Sequence, residues 1–214
     1  MDELIDPEKQ FYSVINAKGQ LVLPAWCDSH THIVFAATRE EEFIDKIRGM
    51  SYADIAAKGG GILNSARKMA ATSENALFND AWKRLEEVSR LGTGSIEIKS
   101  GYGLTVKSEL KMLRVIKKLK EKSPLTIKST FLGAHTYPEQ FRNDHEGYIR
   151  LIIEEMLPVI AAEKLADYID VFCETGFFSK EETIRICKAG MAVGLKPKLH
   201  ANQLNLSGGI EAGV

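Results

Sequence analysis

Five short apolar segments alternate with helical patterns along the chain, and this order constrains the fold more than any other feature of the sequence. Between the segments, apolar residues recur at helical spacing, for example in 78–88, 110–116 and 149–160. Such alternation is typical of βα units that build a parallel sheet. The strands are predicted within Leu21–Phe35 and at Ser95–Lys99, Leu125–Leu132, Tyr168–Cys173 and Pro197–His200.

Polar side chains follow the carboxyl ends of these strands, where barrels and doubly wound sheets both place functional residues. Histidines stand at three of these ends, as His30 with His32, His135 and His200. A ring brings strand ends together more readily than an open sheet does, so residues 21–214 are predicted to form an incomplete (β/α)8 barrel of about five βα units. A complete barrel takes eight strands and about 250 residues. We therefore expect a fragment of a longer protein, or a barrel that something else completes.

Composition excludes several classes of function. Among 214 residues, 28 are basic and 29 acidic, and the net charge of −1 gives no electrostatic footprint for nucleic acid or a membrane surface. No apolar run approaches the ~20 residues of a membrane span. Three cysteines without framework spacing, and an N-terminus without a secretory pattern, predict a reduced, cytoplasmic protein. The open edge of an incomplete barrel predicts a homo-oligomer.

The segment His30-Thr31-His32 predicts a metal site. Alternate residues of a strand share a face, so the two imidazoles should point the same way, a few ångströms apart. Together with His200 they would supply three neutral imidazoles, the usual protein share of an open catalytic zinc site. One divalent metal is predicted, with zinc and iron both open. Such a site activates water to attack a C=O or C=N bond. Asp28 is interpreted either as a partner of these ligands or as a buried aspartate bonded to backbone.

Other polar residues at the predicted strand ends suggest substrate contacts. Arg39 is a candidate clamp for a carboxylate, because guanidinium meets carboxylate bidentately. Tyr102 lies between two glycines, and His135 follows Gly133-Ala134 at a strand end. Glu174 is either a site residue or an ordinary buried acid, and His145 is interpreted as a surface residue.

Two local patterns predict helix starts. Ser51–Asp54 and Ser179–Glu182 have the spacing of capping boxes. The first would begin a helix over Tyr52–Lys58 that stops at Gly59–Gly61. This glycine run lacks the lysine and the spacing of a phosphate-binding loop, so no nucleotide site is predicted.

Several motifs together give the chain a family resemblance. It resembles the imidazolonepropionase family of the amidohydrolase superfamily from about Leu21 to Val214. The resemblance implies a hydrolase of histidine degradation that opens the ring of 4-imidazolone-5-propanoate to N-formimidoyl-L-glutamate. The motifs that carry it are Asp28-Ser-His-Thr-His-Ile-Val-Phe35, Lys99-Ser-Gly-Tyr-Gly-Leu104, Thr130-Phe-Leu-Gly-Ala-His135, Asp170-Val-Phe-Cys-Glu174 and Lys198-Leu-His-Ala-Asn-Gln203.

The resemblance also implies roles for individual residues. His30, His32 and His200 would bind the metal, zinc or iron, and Arg39 would hold the propanoate carboxylate. Tyr102 and His135 would line the substrate pocket. Gln203 matches a substrate-contacting position that is glutamate in some members, and its amide can hydrogen-bond the ring without acting as a general base.

The resemblance implies a longer chain as well. Residues 1–20 would be a remnant of an N-terminal β-rich segment. The family's C-terminal half supplies a metal-binding aspartate that handles the water proton, so no catalytic residue is identified within the chain and the general base is expected beyond Val214. The 214-residue chain alone is therefore predicted to turn over little or no substrate.

Two alternatives stay open at this point. The same His-Thr-His strand occurs in other amidohydrolases, such as deaminases and cyclic amidases. The second alternative is non-enzymatic: a truncated barrel that persists as an oligomer or as half of a split enzyme.

Overall fold

Five parallel strands form one sheet in the computed structural model, which describes residues 15–51, 54 and 60–214. The strands follow one another in chain order across the sheet, as in a barrel and unlike the crossed order of a doubly wound fold. All five predicted strands are confirmed, with bounds shifted by a few residues. They are β1 (Trp26–Thr31), β2 (Thr93–Lys99), β3 (Thr126–Ala134), β4 (Tyr168–Cys173) and β5 (Lys196–Ala201).

The sheet is strongly curled. In a flat sheet β1 and β5 would lie four strand spacings apart, about 19 Å. Instead, the Nε2 atoms of His30 at the end of β1 and His200 in β5 are 3.1 Å apart. Lys99 in β2 likewise reaches past β3 to Asp170 in β4, at 2.8 Å. This curvature makes the sheet part of a (β/α)8 barrel and brings the predicted strand ends together.

Helices cover the outer face of the curled sheet. The amphipathic segment predicted at 149–160 contains a π-helical turn, Leu151–Met156, just before Pro158, whose ring nitrogen has no N–H for the regular helical bond. A 3-10 turn spans Glu139–Phe141. The α-helices are α1 (Glu40–Ile47), α2 (Gly61–Ala71), α3 (Glu74–Arg90), α4 (Val106–Lys122), α5 (His145–Arg150), α6 (Leu157–Glu163), α7 (Lys180–Ala192) and α8 (Gly209–Gly213).

The hydrophobic core lies between the sheet and these helices. Alternate strand residues point outward into it, including Ile96 and Ile98 of β2 and Ile169 and Val171 of β4, all at most 2% exposed. Leu113 of α4 belongs to the same cluster. Alternate side chains of a strand point to opposite faces, so the residues between these apolar ones face the inside of the curl.

Two local predictions concern the starts of helices. The Ser179–Glu182 capping box is confirmed at the start of α7. At the other predicted capping box, Oδ2 of Asp54 accepts the backbone N–H of Ser51, and Oγ of Ser51 accepts the backbone N–H of Asp54. The predicted helix over Tyr52–Lys58 and most of the predicted 1–20 segment lie outside the described residues. Within the described ranges, no helix is long and apolar enough to cross a membrane.

Candidate active site

A cavity of about 670 Å³ opens at the carboxyl ends of the strands. All seven residues predicted as metal or substrate ligands line it, although they come from five separate places in the sequence. Lys46, Phe172 and Leu204 also line the cavity, and sequence reasoning gave them no role. The seven predicted residues are His30, His32, Arg39, Tyr102, His135, His200 and Gln203.

His30 and His200 face each other across this cavity. Their Nε2 atoms are 3.1 Å apart, and the rings meet edge to face with centroids 4.6 Å apart. Two imidazole nitrogens on one tetrahedral zinc at 2.0–2.1 Å would be separated by about 3.3 Å. Strands at opposite edges of the sheet therefore bring two imidazoles to the separation that a shared metal ion requires.

The other ring nitrogen of His200 lies against a buried carboxylate. Nδ1 of His200 is 3.0 Å from Oδ2 of Asp170, which is 1% exposed. The contact is short but lacks hydrogen-bond geometry, so Nδ1 has no hydrogen-bond partner. Sequence reasoning gave Asp170 no role. An acidic residue inside a buried apolar strand was the signal that could have singled it out.

His32 lies deeper than His30, with the two ring centroids 5.7 Å apart on the same cavity, as the strand alternation predicted. Its ring stacks on His135 at 5.5 Å and lies 5.0 Å from Tyr102. Burial, reinforced by the nearby His135, lowers the pKa of His32 to about 3. Burial and the neighbouring His200 also lower the pKa of His30. Both imidazoles are therefore neutral at pH 7, the state that binds metals.

These residues fit a metal ion by their chemistry. Nδ1 of His32 is buried and has no hydrogen-bond partner, so one polar atom at this end of the cavity is unsatisfied. Across residues 15–51, 54 and 60–214, however, no three His, Cys, Asp or Glu side chains converge into a ready-made metal cluster. The structure therefore brings two of the three predicted ligands together and places the third beside them.

His135 is fixed by the loop that follows β2. Its Nδ1 lies 3.0 Å from the carbonyl oxygen of Gly101, which can only accept, so Nδ1 carries the proton and Nε2 is left with a free lone pair. Gly101 has φ +112°, and a Cβ there would lie 2.8 Å from the His135 ring. Glycine is thus required for this close approach. Burial lowers the pKa of His135 to about 4, against the raising effect of the Gly101 contact.

A buried carboxylate holds the loop that carries Tyr102. Glu109 in the first turn of α4 is fully buried and accepts backbone N–H bonds from Gly101, Gly103 and Leu104 at 2.6–3.1 Å. Burial raises the pKa of Glu109 despite these donors. The same carboxylate thus orders both glycines around Tyr102. Sequence reasoning missed it, although Glu109 lies on the helix stripe that also contains Leu113 and Ile116.

Arg39 lies at the start of α1, on the outer side of the cavity. Its Nη1 is 3.5 Å from Oε2 of Glu42, while Oε1 of Glu42 accepts the backbone N–H of Gly61 at 2.9 Å. The guanidinium also lies close enough to Tyr102 to oppose the effect of burial, which raises the pKa of the phenol. Lys46, further along α1, also lines the cavity.

The loop that presents Gln203 is held by Glu174. The Glu174 carboxylate, 2% exposed, accepts backbone N–H bonds from Thr175, Leu204 and Asn205 at 2.8–3.1 Å. These bonds, the one from Leu204 above all, lower the pKa of Glu174. Of the two interpretations of this residue, the structure supports a buried acid that orders a loop next to the site.

Two further interpretations can be judged. Asp28 is exposed, and its Oδ1 accepts the backbone N–H of His30 at 3.2 Å. The interpretation of Asp28 as a buried aspartate is therefore wrong, because β1 is an edge strand of the described sheet. His145 is exposed as predicted, and its ring stacks on Tyr137 at 3.7 Å, outside the cavity.

Below the cavity, the inside of the curl holds a network of buried charges. Nζ of Lys99 contacts Oε1 of Glu97 at 2.5 Å and Oδ2 of Asp170 at 2.8 Å. Glu97 also accepts from Thr130 at 2.6 Å and from Lys198. Burial alone would raise the pKa of Glu97, but these donors bring the net direction down. Asp170 links this network to His200, because the same Oδ2 contacts both Lys99 and the His200 ring.

Comparison with known proteins places the chain by sequence. No family model matches it. The imidazolonepropionase of Flavobacterium johnsoniae is 62% identical over 208 residues, 97% of this chain and 51% of that protein. The imidazolonepropionase of Clostridium tetani is 46% identical over 204 residues, 95% of this chain and 48% of that protein. The resemblance to this family is confirmed, and the chain spans about half the length of the curated relatives it matches.

Solved structures agree on the architecture. A 5-methylcytosine deaminase from Klebsiella pneumoniae matches 96% of this chain and 46% of its own, with a TM-score of 0.64 at 13% identity. An adenine deaminase from Arthrobacter aurescens matches 86% of this chain and 59% of its own, with a TM-score of 0.52 at 17% identity. An amidohydrolase from Burkhoderia ambifaria, solved with bound zinc, matches 84% of this chain and 52% of its own, with a TM-score of 0.50 at 14% identity. At such identities these likenesses show the fold, a partial (β/α)8 barrel.

Proposed function

We propose that this chain, homologous to imidazolonepropionases along nearly its whole length, binds 4-imidazolone-5-propanoate beside one divalent metal ion for hydrolytic ring opening. The observation that carries the proposal is the shared cavity, in which three histidines and four candidate substrate contacts meet at the strand ends. Homology supplies the substrate class, and the cavity supplies residues whose chemistry suits it. Turnover of little or no substrate by this chain alone stays a prediction.

His30, His32 and His200 would hold the metal, which when bound would lower the pKa of a water molecule and polarise the ring C=O or C=N bond. The three imidazoles fit this role because each lies at the cavity and two already face each other at 3.1 Å. An all-imidazole set suits zinc and iron alike. We therefore propose zinc or iron as the bound metal. We also propose that the protein is cytoplasmic, with reduced cysteines.

Arg39 would bind the propanoate carboxylate. Arg39 offers a planar pair of N–H donors, which matches the two oxygens of a carboxylate. Glu42 holds one edge of the guanidinium and ties it to the start of α2 through Gly61, so the arginine is oriented before substrate arrives. The charge of Arg39 would therefore select substrates with an acidic side chain over neutral ring compounds.

Tyr102, His135 and Gln203 would contact the ring itself. Nε2 of His135 has its lone pair free, since Nδ1 is engaged with Gly101, so it can accept a ring N–H. The Tyr102 hydroxyl and the Gln203 amide can each donate or accept. The ring of His135 is stacked against His32, which places these polar contacts next to the proposed metal ligands.

The proposal can be tested by binding a stable analogue, 3-(imidazol-4-yl)propanoate, to the zinc-loaded chain by calorimetry. We expect Arg39→Gln to weaken this binding about tenfold or more, because a hydrogen bond to a charged group contributes about 1.5–3 kcal/mol. The neutral probe 4-methylimidazole should bind wild type and Arg39→Gln equally. Arg48→Gln, at the other end of α1 and outside the cavity, is the matched control and should behave as wild type.

Loss of affinity for both probes, or for neither, would contradict the assignment of the carboxylate to Arg39. Equal binding of the two probes to the wild-type chain would instead favour a neutral substrate and an amidohydrolase of another class.

A further inference from the structure

We propose that Asp170 is a positioning residue for the metal site, because it holds the imidazole of His200 with Nδ1 protonated and Nε2 turned into the cavity. The inference rests on the proposed function, since it concerns the metal ligands named there. Neither the homology nor the family motifs assign a role to this aspartate.

Asp170 and His200 are in direct contact. Oδ2 of Asp170 lies 3.0 Å from Nδ1 of His200, and the aspartate is 1% exposed. The contact is not aligned as a hydrogen bond, but the carboxylate beside the ring favours the tautomer that carries the proton on Nδ1. The opposite nitrogen, Nε2, is then the one with a lone pair, and it is this atom that faces Nε2 of His30 at 3.1 Å.

Asp170 is itself held in place by buried charges. Nζ of Lys99 lies between Oε1 of Glu97, at 2.5 Å, and Oδ2 of Asp170, at 2.8 Å. Glu97 is held in turn by Lys198 and Thr130. Buried charges fixed from several strands leave the aspartate little freedom to turn away. The network therefore ties β2, β3, β4 and β5 to the orientation of a single imidazole.

The second carboxylate oxygen of Asp170 is unused. Oδ1 of Asp170 is buried without a hydrogen-bond partner, which costs folding free energy. Orientation of a metal ligand would be a functional reason to keep a carboxylate at this position. An ionised carboxylate behind a ligating histidine fixes the ring and makes its free nitrogen a better donor to a metal. A purely structural ion pair with Lys99 would need neither His200 nor the orientation observed.

The first experiment measures zinc affinity by competition with a chromophoric chelator. Loss of a partner behind a ligand typically costs 10–100-fold in metal affinity, so Asp170→Asn should weaken zinc binding by about that factor. The matched control is Asp167→Asn, just before β4, where the aspartate accepts from the Ser129 backbone and from Lys120. It should bind zinc within about twofold of wild type. Equal zinc affinity for wild type and Asp170→Asn would overturn the inference.

A second measurement needs no substitution and so does not depend on whether the variant folds. In the metal-free wild-type chain at neutral pH, nitrogen-15 NMR of the histidine rings should show His200 with the proton on Nδ1. Free histidine favours the other tautomer, so this result would support the inference directly. A proton on Nε2 of His200 would overturn it.

The two proposals fail in different ways. A wild-type chain that binds no zinc would contradict the proposed metal site, while the tautomer of His200 would still decide the role of Asp170. A wild-type chain that binds zinc only as tightly as Asp170→Asn does would leave the metal site standing and remove the positioning role.

Discussion

Over Ile96–Lys99 of β2, both faces of the curled sheet are buried, and they are built from opposite chemistry. The outer face is apolar: Ile98 is fully buried and packs in a cluster with residues of the covering helices. On the same strand, Glu97 and Lys99 point inward and are only 4% and 2% exposed. Strand alternation thus separates two interiors and does not separate an interior from solvent.

The difference shows what each interior is for. An apolar face gains stability from burial in proportion to its area and tolerates small changes of shape. Buried charges recover the cost of their desolvation only when every partner is present. In return, they hold one arrangement, and here that arrangement ends at His200 in the cavity. The outer face supports the fold, and the inner face orients the site.

Lys99→Met should have the largest effect, because it removes the cation shared by Glu97 and Asp170. Breaking a buried ion pair on one side costs about 3–5 kcal/mol. We expect the free energy of unfolding in urea at pH 7 to fall by that amount. Lys120→Met is the matched control, since its ion pair with Asp167 is partly exposed, and it should cost less than about 1 kcal/mol.

Equal losses of unfolding free energy for Lys99→Met and Lys120→Met would contradict the proposed difference between the faces, because the inner network would then behave as an ordinary surface ion pair. A still sharper form is the double variant Lys99→Met with Asp170→Asn. The double variant removes both charges of the pair, so neither is left buried without its partner. Its loss of unfolding free energy should therefore be smaller than the sum of the two single losses.

The rim of the cavity should respond to pH before the interior network does. His135 stays neutral in the folded protein down to its pKa of about 4, whereas the unfolded chain binds this proton near pH 6.5. Stability from His135 is therefore fully present above pH 6.5 and is lost as pH falls towards 4. From pH 7 to pH 5, this one histidine should cost about 2 kcal/mol.

The measurement is the free energy of unfolding of the metal-free chain at pH 7 and pH 5. His135→Gln should reduce the loss between these two values by more than His145→Gln does, since the His145 side chain lies exposed on α5. The carboxylates of Glu97 and Asp170 have lowered pKa values, so their stabilisation is present above the usual carboxyl range and disappears at more acidic pH. An unchanged loss in His135→Gln would contradict the assignment.

Much of the fold and of the rim could be predicted from the sequence. Apolar runs fix where strands lie, and parallel strands must end on the same side, so the order of residues alone groups His32, Tyr102 and His135. The apolar residues that precede each of them in the sequence mark the strand at whose end it lies. The curvature that joins His30 to His200 follows from the barrel architecture and was inferred from it.

The residues behind the rim could not be predicted in the same way. Glu97 and Lys99 alternate with isoleucines, a pattern that an exposed polar face would also give. Only closure of the curl shows that they are buried, because their partners lie 71 and 101 residues away along the chain. Glu109 and Glu174 were missed or left open for a related reason: each bonds backbone N–H groups of a loop, and backbone donors leave no trace in the sequence.

Ile98→Val should have the smallest effect on the free energy of unfolding, and it tests the apolar outer face alone. Removing one methylene from this fully buried side chain should cost about 1 kcal/mol. The cost should be the same at pH 7 and pH 5, since nothing that titrates is removed. Ile44→Val on α1, where the side chain is 45% exposed, is the matched control and should stay within about 0.5 kcal/mol of wild type. A pH-dependent cost for Ile98→Val would mean that the two faces are coupled through β2, and that the outer packing also sets the position of Lys99.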